Sequence, residues 1–271
     1  EKIIFTEKIL SYANHRQIDL PAFSYTSPKT GPALWIISGI HGEEPAGPNA
    51  IANKIDQIGS LSKEIPIVIL PLCNPKGYFF NWRYPNQDKY SSDDIGQSVG
   101  DSEHLLPTNP DNPQYPRANQ PSCFQSQALT SHILKLAKIY PPILSLDFHE
   151  DNLLDKGYIY SQGSQNENDP VALQIVQLLL AIDYPLFLSG QTRFQQKITS
   201  GVVEKSLDGS IDELIAADKI YLNHQWQPGP KAKSVIVVET AASNQPLSQR
   251  QLAQELLLDN LEKLWKTANA Q

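Results

Sequence analysis

Four apolar segments of this 271-residue chain each end at a residue that can bind a metal ion or move a proton. They are Ala33–His41, Ile65–Asn74, Ile143–His149 and Val235–Glu239. Apolar runs without alternation are typical of strands that are covered on both faces. Because ligands of an open α/β sheet bind beyond the carboxyl ends of its strands, the four endings predict one shared site.

Helical patterns alternate with these strand candidates, and further strands are expected over Gln17–Thr26, Tyr158–Ser161 and Pro185–Ser189. The alternation predicts a three-layer α/β/α sandwich with a mixed, largely parallel central sheet of about eight strands. No internal repeat or linker is visible, so residues 1–271 are expected to form a single domain.

Three helices have clear signals in the sequence. An apolar stripe at positions 129, 133, 136 and 137 predicts the first. Asp169-Pro170 begins a second that runs to about residue 182. The last is expected to begin with a capping box of Ser248 and Gln251 and a hydrophobic staple of Leu247 and Leu252, and to continue to Trp265.

The segment from Arg83 to about Pro121 is rich in Pro, Asn, Asp and Ser and shows no regular pattern. Long loops inside compact domains are usually functional or disordered. Since this loop begins nine residues after Asn74, we expect a rim or lid over the shared site.

The composition excludes several classes of partner. The formal net charge is −7 and no block of Lys or Arg occurs, which argues against a nucleic-acid partner. No apolar run reaches the roughly 18 residues of a membrane span. The N-terminal residues lack the hydrophobic stretch of a signal peptide, which favours the cytoplasm and leaves the periplasm open if a signal was removed. Cys73 and Cys123 are expected to be free thiols, with one disulfide as the alternative.

His41 and Glu44 flank a short turn after the first of the four segments. Such a turn lets an imidazole nitrogen and a carboxylate oxygen meet at about 2 Å from one cation. Gly42 tolerates the tight backbone that this requires. Taken alone, the pattern also fits a surface turn with solvated glutamates.

The third segment supplies the missing ligand. Asp147 and His149 share one face of the strand, because side chains of a strand alternate. We predict that His149 is the third zinc ligand and that Asp147 orients a ligand histidine from behind. His104, in the long loop, is the alternative ligand, and a core histidine bonded to a backbone carbonyl is the alternative role of His149. Glu239 is left for acid–base chemistry.

The motifs occur in a specific order: His41-x-x-Glu44, Asn74-Pro75-x-Gly77, Arg83, Asp147-x-His149 and Glu239-Thr240. This order resembles the zinc carboxypeptidases of the carboxypeptidase A type and their relatives, the aspartoacylase and succinylglutamate desuccinylase deacylases. The resemblance covers most of the chain, from Ala33 to Glu239, and it implies the zinc carboxypeptidase-like fold.

The resemblance also implies a role for each matching residue. His41, Glu44 and His149 would hold one zinc ion per chain and leave a fourth position for water. Glu239 would be the general base that takes the proton of this water and later delivers it to the leaving amine. Arg83 would polarise the scissile carbonyl and stabilise the oxyanion.

Two further substrate contacts are implied more weakly. Asn74 belongs to the Asn-Pro motif that precedes Arg83. Ile211 lies in Gly209-Ser210-Ile211-Asp212, which is similar to the segment that lines the pocket for the C-terminal side chain in the peptidases.

The sequence departs from the family pattern at two places. Gly96 and Gln97 stand where an Asn-Arg pair usually grips the substrate carboxylate. Arg117, Arg193 and Lys197 are candidates to replace that pair, and the spacing selects none of them. A tyrosine expected before Gly209 is also missing, with Tyr158, Tyr160 and Tyr221 as candidate substitutes.

Three functions are consistent with this pattern. The leading hypothesis is a zinc-dependent metallocarboxypeptidase that hydrolyses an amide bond near the C-terminus of a small peptide, including a cell-wall-type peptide, by a zinc-activated water. The close alternative is an N-acyl-amino-acid deacylase with the same metal site. The third, of a different class, is a non-catalytic binding protein on the same fold.

Overall fold

The structure, a computed structural model, describes residues 1–10, 16–86 and 97–271. These residues form twelve strands: β1 (Lys2–Leu10), β2 (Gln17–Thr26), β3 (Ala33–Ser38), β4 (Ile67–Leu70), β5 (Pro142–Asp151), β6 (Tyr158–Ser161), β7 (Ser189–Gln191), β8 (Lys197–Thr199), β9 (Val202–Val203), β10 (Lys219–Leu222), β11 (Gln225–Pro228) and β12 (Ser234–Ala241). Seven α-helices accompany them: α1 (Ala46–Leu61), α2 (Pro75–Phe80), α3 (Phe124–Ala137), α4 (Pro170–Leu180), α5 (Ile211–Ala216), α6 (Leu247–Asp259) and α7 (Leu261–Asn269).

Ten of the strands form one sheet in the order β1-β2-β4-β3-β5-β12-β6-β9-β8-β7. The central strands β4, β3, β5 and β12 are parallel to one another, so their carboxyl ends meet at one edge of the sheet. Strands β2 and β6 pair antiparallel with the two outer members of this group. The hairpin β10–β11 is separate.

Helices cover both faces of the central strands, and every residue of β3 is therefore buried. Leu34 and Ile36 point to a core that also contains apolar residues of α1, α4, α6 and α7. The alternate side chains of Trp35 and Ile37 point to a second core formed with α3 and α5. The predicted three-layer arrangement is therefore confirmed, and the period-two alternation of a strand explains why one continuous apolar run serves both cores.

Two of the three helix predictions are confirmed. Leu129, Ile133 and Leu136 are buried on α3, as the apolar stripe requires. Asp169 is the N-cap of α4, and its side chain accepts a hydrogen bond from the backbone N–H of Val171 at 2.8 Å.

The prediction for the last helix is wrong in its start and in its length. The helix begins at Leu247 after an extended Pro246, so Ser248 lies inside it and no side chain caps it. Leu252 is 58% exposed and cannot be part of a staple. The helix ends at Asp259, and α7 follows as a separate helix.

The sheet has more strands than the eight expected, since β1 and the short strands β7, β8 and β9 were not predicted. The strand predicted over Pro185–Ser189 is wrong. Within it, Leu186 makes a single bridge to Gly157, and Ser189 is the first residue of β7.

Three sequence expectations concern the rest of the chain. Both cysteines are free, as predicted. Within the described segments, no helix is long and apolar enough to cross a membrane. The described part of the long loop, residues 97–121, contains no helix or strand beyond an isolated bridge between Pro107 and Pro116.

Candidate metal centre

The three predicted metal ligands meet at the carboxyl edge of the central strands. His41 and Glu44 lie in the turn between β3 and α1, and His149 lies near the end of the neighbouring strand β5. The Nδ1 atom of His41 is 2.8 Å from Glu44 Oε1, and Nδ1 of His149 is 2.9 Å from Glu44 Oε2. The two Nδ1 atoms are 3.2 Å apart.

This geometry fits a zinc ion. Tetrahedral zinc with nitrogen and oxygen ligands at about 2.0–2.2 Å holds those atoms roughly 3.3 Å from one another. The three donor atoms are already close to that separation, and both Nδ1 atoms face the carboxylate of Glu44. Two imidazoles and one carboxylate are an ordinary donor set for a catalytic zinc, with a position left open.

The turn that carries His41 and Glu44 depends on a close approach between two backbone segments. A Cβ atom at Gly42 would lie 2.0 Å from the carbonyl carbon of Gly77, which no side chain can accept. The N–H of Gly42 donates to the carbonyl of Arg83 at 3.3 Å, and Glu44 N–H donates to the carbonyl of His41. Glycine is therefore needed at position 42 for space.

Asp147 lies behind His149, in the place expected for an orienting carboxylate. Its Oδ2 atom is 3.2 Å from His149 Nε2, and the residue is fully buried. Burial alone would lower the pKa of His149, but the Asp147 and Glu44 carboxylates outweigh it and raise the pKa above the ordinary value. Burial dominates at His41 and lowers its pKa to about 4.

Glu239 faces the same site from the next strand. It stands directly beside His149 in the parallel pairing of β12 with β5. Burial raises the pKa of Glu239 to about 8, with the Glu44 and Asp151 carboxylates adding to the shift while His149 and Arg83 oppose it. A carboxyl group whose pKa is near neutral can both accept and return a proton.

Arg83 is held next to the ligand set. Its Nη1 atom donates to Glu43 Oε1 at 3.1 Å and to Glu44 Oε1 at 3.0 Å. These contacts place a permanent positive charge beside the predicted metal position, where negative charge would develop on a substrate carbonyl.

A cavity of about 180 Å³ opens over these residues. Glu44, His149, Arg83 and Glu239 all line it. Its walls also contain Ser210 and Asp212, from the segment around Ile211, and six residues without a predicted role: Glu150, Asp151, Asn152, Gln162, Phe194 and Asp208. Glu150, Asp151 and Asn152 directly follow His149 in the sequence, and this position is the signal that could have identified them. Gln162, Phe194 and Asp208 lie far from the motifs in sequence.

Asn74 and Ile211 are not among the residues that line this cavity, and their contacts with substrate stay a prediction. Asn74 is fully buried, and its side chain caps α2 by accepting from Gly77 N–H at 2.9 Å while donating to the Arg83 carbonyl at 3.2 Å. It therefore fixes the backbone of Arg83 from behind. Ile211 is buried in the core that contains α3 and α5, because α5 begins there after Ser210 as its N-cap.

The other histidines of the described segments lie away from the centre. His104, the alternative ligand, lines a different cavity beside the hairpin β10–β11. His132 lies on α3 and is buried, with Nε2 2.7 Å from Ser24 Oγ. His224 is exposed, and His15 lies outside the described residues.

The long loop contributes one residue to the cavity wall in its described part. Within residues 83–86 and 97–121 this residue is Arg83, and because residues 87–96 lie outside the described segments, the rim or lid stays a prediction. Gln97 is not in the cavity wall, and Gly96 lies outside the described residues. Of the candidate tyrosines, Tyr158 and Tyr160 line the cavity, whereas Tyr221 lines the cavity of His104.

Comparison with known proteins gives a family match over most of the chain. A family described as zinc carboxypeptidase matches residues 8–227. No curated protein matches the chain in sequence.

Solved structures share the fold. A candidate metallopeptidase from Shewanella baltica OS155 is 20% identical, with a TM-score of 0.69 over 96% of this chain and 85% of that one. A second, from Shewanella amazonensis SB2B, is 23% identical, with a TM-score of 0.67 over 95% and 87%. Carboxypeptidase A from Helicoverpa armigera is 14% identical, with a TM-score of 0.54 over 98% and 69%.

Proposed function

The chain belongs to the zinc carboxypeptidase family and is a zinc-dependent hydrolase, and from this premise we propose that it cleaves an amide bond near the C-terminus of a small peptide. Peptides of the cell-wall type are included, because D- or γ-linkages need not present their carboxylate where the missing Asn-Arg pair would bind it. His41, Glu44 and His149 hold the zinc in this proposal. The supporting observation is that their donor atoms lie 2.8 to 3.2 Å apart with Glu239 on the adjacent strand.

Bound zinc supplies Lewis acidity, which makes water a nucleophile near neutral pH and polarises a carbonyl group. The residues of the chain supply the rest. Glu239 accepts the proton of the attacking water through its carboxylate and returns it to the nitrogen of the leaving amine. The family match ends before Glu239, so this role is supported by its placement beside His149 and not by the match.

Arg83 stabilises the negative charge that develops on the carbonyl oxygen during attack. Its guanidinium is already fixed by Glu43 and Glu44, so little reorganisation is needed when the charge appears. The cavity wall adds Tyr158 and Tyr160, whose hydroxyl groups donate to Asp151 at 2.7 Å and to Gln196 at 2.8 Å. These two side chains therefore shape the cavity in the described structure.

The proposal is tested by turnover of the zinc-loaded protein on two panels of compounds. One contains short peptides with varied C-terminal residues and linkages, and the other contains N-acetyl- and N-succinyl-amino acids. We expect hydrolysis within the peptide panel. Hydrolysis confined to the acylated amino acids would replace the proposed activity with deacylation, and silence on both panels would refute both.

A further inference from the structure

Substrates of both panels carry a free carboxylate on the amino acid that leaves, so the site needs a cationic group to recognise it. Among the described residues that line the catalytic cavity, the arginines are Arg83 and Arg193, and no lysine is present. Arg83 is engaged at the ligand end of the cavity by Glu43 and Glu44. Arg193 is therefore the remaining cation of the cavity wall that can meet the carboxylate of the leaving amino acid.

The guanidinium of Arg193 donates no hydrogen bond to another described residue. Its Nε atom is 3.9 Å from Asp151 Oδ2, which is too long for a hydrogen bond. Asp151 is satisfied without it, because Oδ2 accepts from the Tyr158 hydroxyl at 2.7 Å and Oδ1 accepts from Leu153 N–H at 2.8 Å. Within the described chain, the two terminal nitrogens of Arg193 donate no hydrogen bond, and the residue is about one-third exposed.

The turn that carries Arg193 is fixed against the cavity wall. Thr192 N–H donates to the carbonyl of Gln196 at 2.9 Å and closes the turn between β7 and β8. The hydroxyl of Tyr160, a cavity residue, donates to Gln196 Oε1 at 2.8 Å. The guanidinium of Arg193 lies 4.7 Å from the centre of the Phe194 ring. A planar cation supported in this way loses little freedom when it binds a carboxylate.

The other two candidates for this role are excluded by their positions. Arg117 donates through both terminal nitrogens to the carboxylate of Glu213 and through Nε to the carbonyl of Pro107. Lys197 lies on β8 and does not line the cavity. Arg117 would have to break these bonds to meet a substrate in the cavity, and Lys197 is not part of the cavity wall.

We infer that Arg193 binds the free carboxylate of the leaving amino acid, with the guanidinium donating two parallel hydrogen bonds to the two carboxylate oxygens. This inference rests on the proposed hydrolase function, and it gives that function a requirement for a free acid at the leaving end. It also places the specificity contact on a hairpin remote in sequence from Gly96 and Gln97.

The test compares the best-cleaved compound of the panels with the same compound amidated at its carboxylate. In Arg193→Ala, we expect kcat/KM for the free acid to fall about 10- to 150-fold, mainly through KM. The rate on the amide should stay at its wild-type value. Arg193→Lys should recover part of the loss, because it restores the charge without the planar fork. Lys197→Ala is the matched control and should behave as wild type.

Zinc content and melting temperature are measured on each variant and are expected to be unchanged. Equal losses on acid and amide, or no loss on the acid, would overturn the role of Arg193 while leaving the hydrolase function in place. If the wild-type protein cleaves nothing in either panel, the proposed function fails first and the inference fails with it.

Discussion

The carboxylate of Glu150 accepts a hydrogen bond from the backbone N–H of Ala46, with 2.7 Å between Oε1 and N. In the opposite direction, the backbone N–H of Glu150 donates to Glu44 Oε2 at 3.2 Å. The end of β5 and the turn after β3 are thus joined by two hydrogen bonds that bracket the candidate metal position. Arg250, from α6, pairs with the second oxygen of Glu150 and balances its buried charge.

We predict that Glu150→Ala weakens zinc binding about 10- to 100-fold, because groups that hold metal ligands in place commonly contribute this much. Competition with a chromophoric chelator measures the dissociation constant. Glu150→Gln keeps an oxygen that can accept from Ala46 N–H and should lose less. Glu255→Gln, which changes a glutamate that bonds to Asn53 and Gln251, is the control. Unchanged zinc affinity in Glu150→Ala would show that this connection does not position the ligands.

His149→Ala should lose the metal. Removing one of three donors leaves a pair that cannot define a tetrahedral site, so zinc per chain should fall from near one toward zero after dialysis. His224→Ala, at an exposed position, should retain the wild-type content. Metal analysis by plasma emission gives the answer directly, and full occupancy in His149→Ala would refute the ligand set.

Removal of zinc from the wild-type protein should also lower its melting temperature. A ligand that binds the folded state at 100 times its dissociation constant stabilises that state by about 2.7 kcal/mol. The shift on adding a chelator should be much smaller in His149→Ala, which has little zinc to lose. Thermal unfolding followed by circular dichroism, at matched zinc concentrations, measures the shift in melting temperature for the wild type and for His149→Ala.

Glu239→Gln should separate catalysis from metal binding. Glutamine occupies the same space but cannot accept a proton, so kcat should fall about 100- to 10,000-fold. Zinc content should stay near one per chain, because Glu239 is not among the three donors. Glu204→Gln changes an exposed glutamate and is the control. Normal turnover by Glu239→Gln would rule out its role as the base.

Asp101 gives a pH-dependent prediction away from the metal. Burial raises its pKa to about 6 from the ordinary 3.8, although hydrogen bonds to Ser122 and Ser98 oppose the shift. One of its oxygens, Oδ2, is buried without a hydrogen-bond partner among the described residues. The carboxyl group of Asp101 therefore binds its proton more tightly in the folded state than in the unfolded state. Protonation of Asp101 thus stabilises the fold below about pH 4, and this stabilisation is lost as the pH rises through 6.

Asp101→Asn keeps the side chain neutral at every pH. It should be more stable than the wild type at pH 8, by roughly 3 kcal/mol at most, and nearly equal to it at pH 4. Urea unfolding at the two pH values measures the difference. Asp111→Asn, at an exposed position, should show no such dependence. A stabilisation that is equal at both pH values would contradict the assignment to ionisation.

Local sequence rules located the central part of the site because strand periodicity and strand ends determine it. His41 follows β3, His149 lies near the end of the neighbouring parallel strand β5, and the sheet brings such ends together without any further information. Asp147 followed from its spacing of two residues from His149, and the structure places it 3.2 Å away.

The rest of the site depends on pairing that local patterns do not encode. Strands β7 and β8 are three residues long and mostly exposed, so no apolar run marked the hairpin that carries Arg193. Ile211 was assigned to the pocket from a short motif. Ser210 caps α5 instead, and the first turn of that helix directs Ile211 into the core while Asp212 faces the cavity.

The pairing of β12 with β5 makes the centre intolerant of length changes in either strand. Glu239 lies beside His149, and its neighbours Val238 and Thr240 point to the opposite face. Deletion or insertion of one residue ahead of Glu239 would present valine or threonine to the cavity and turn the carboxylate toward the helices. Divergence among proteins of this architecture should therefore accumulate as insertions in the connecting loops, whereas the lengths of these two strands stay constant.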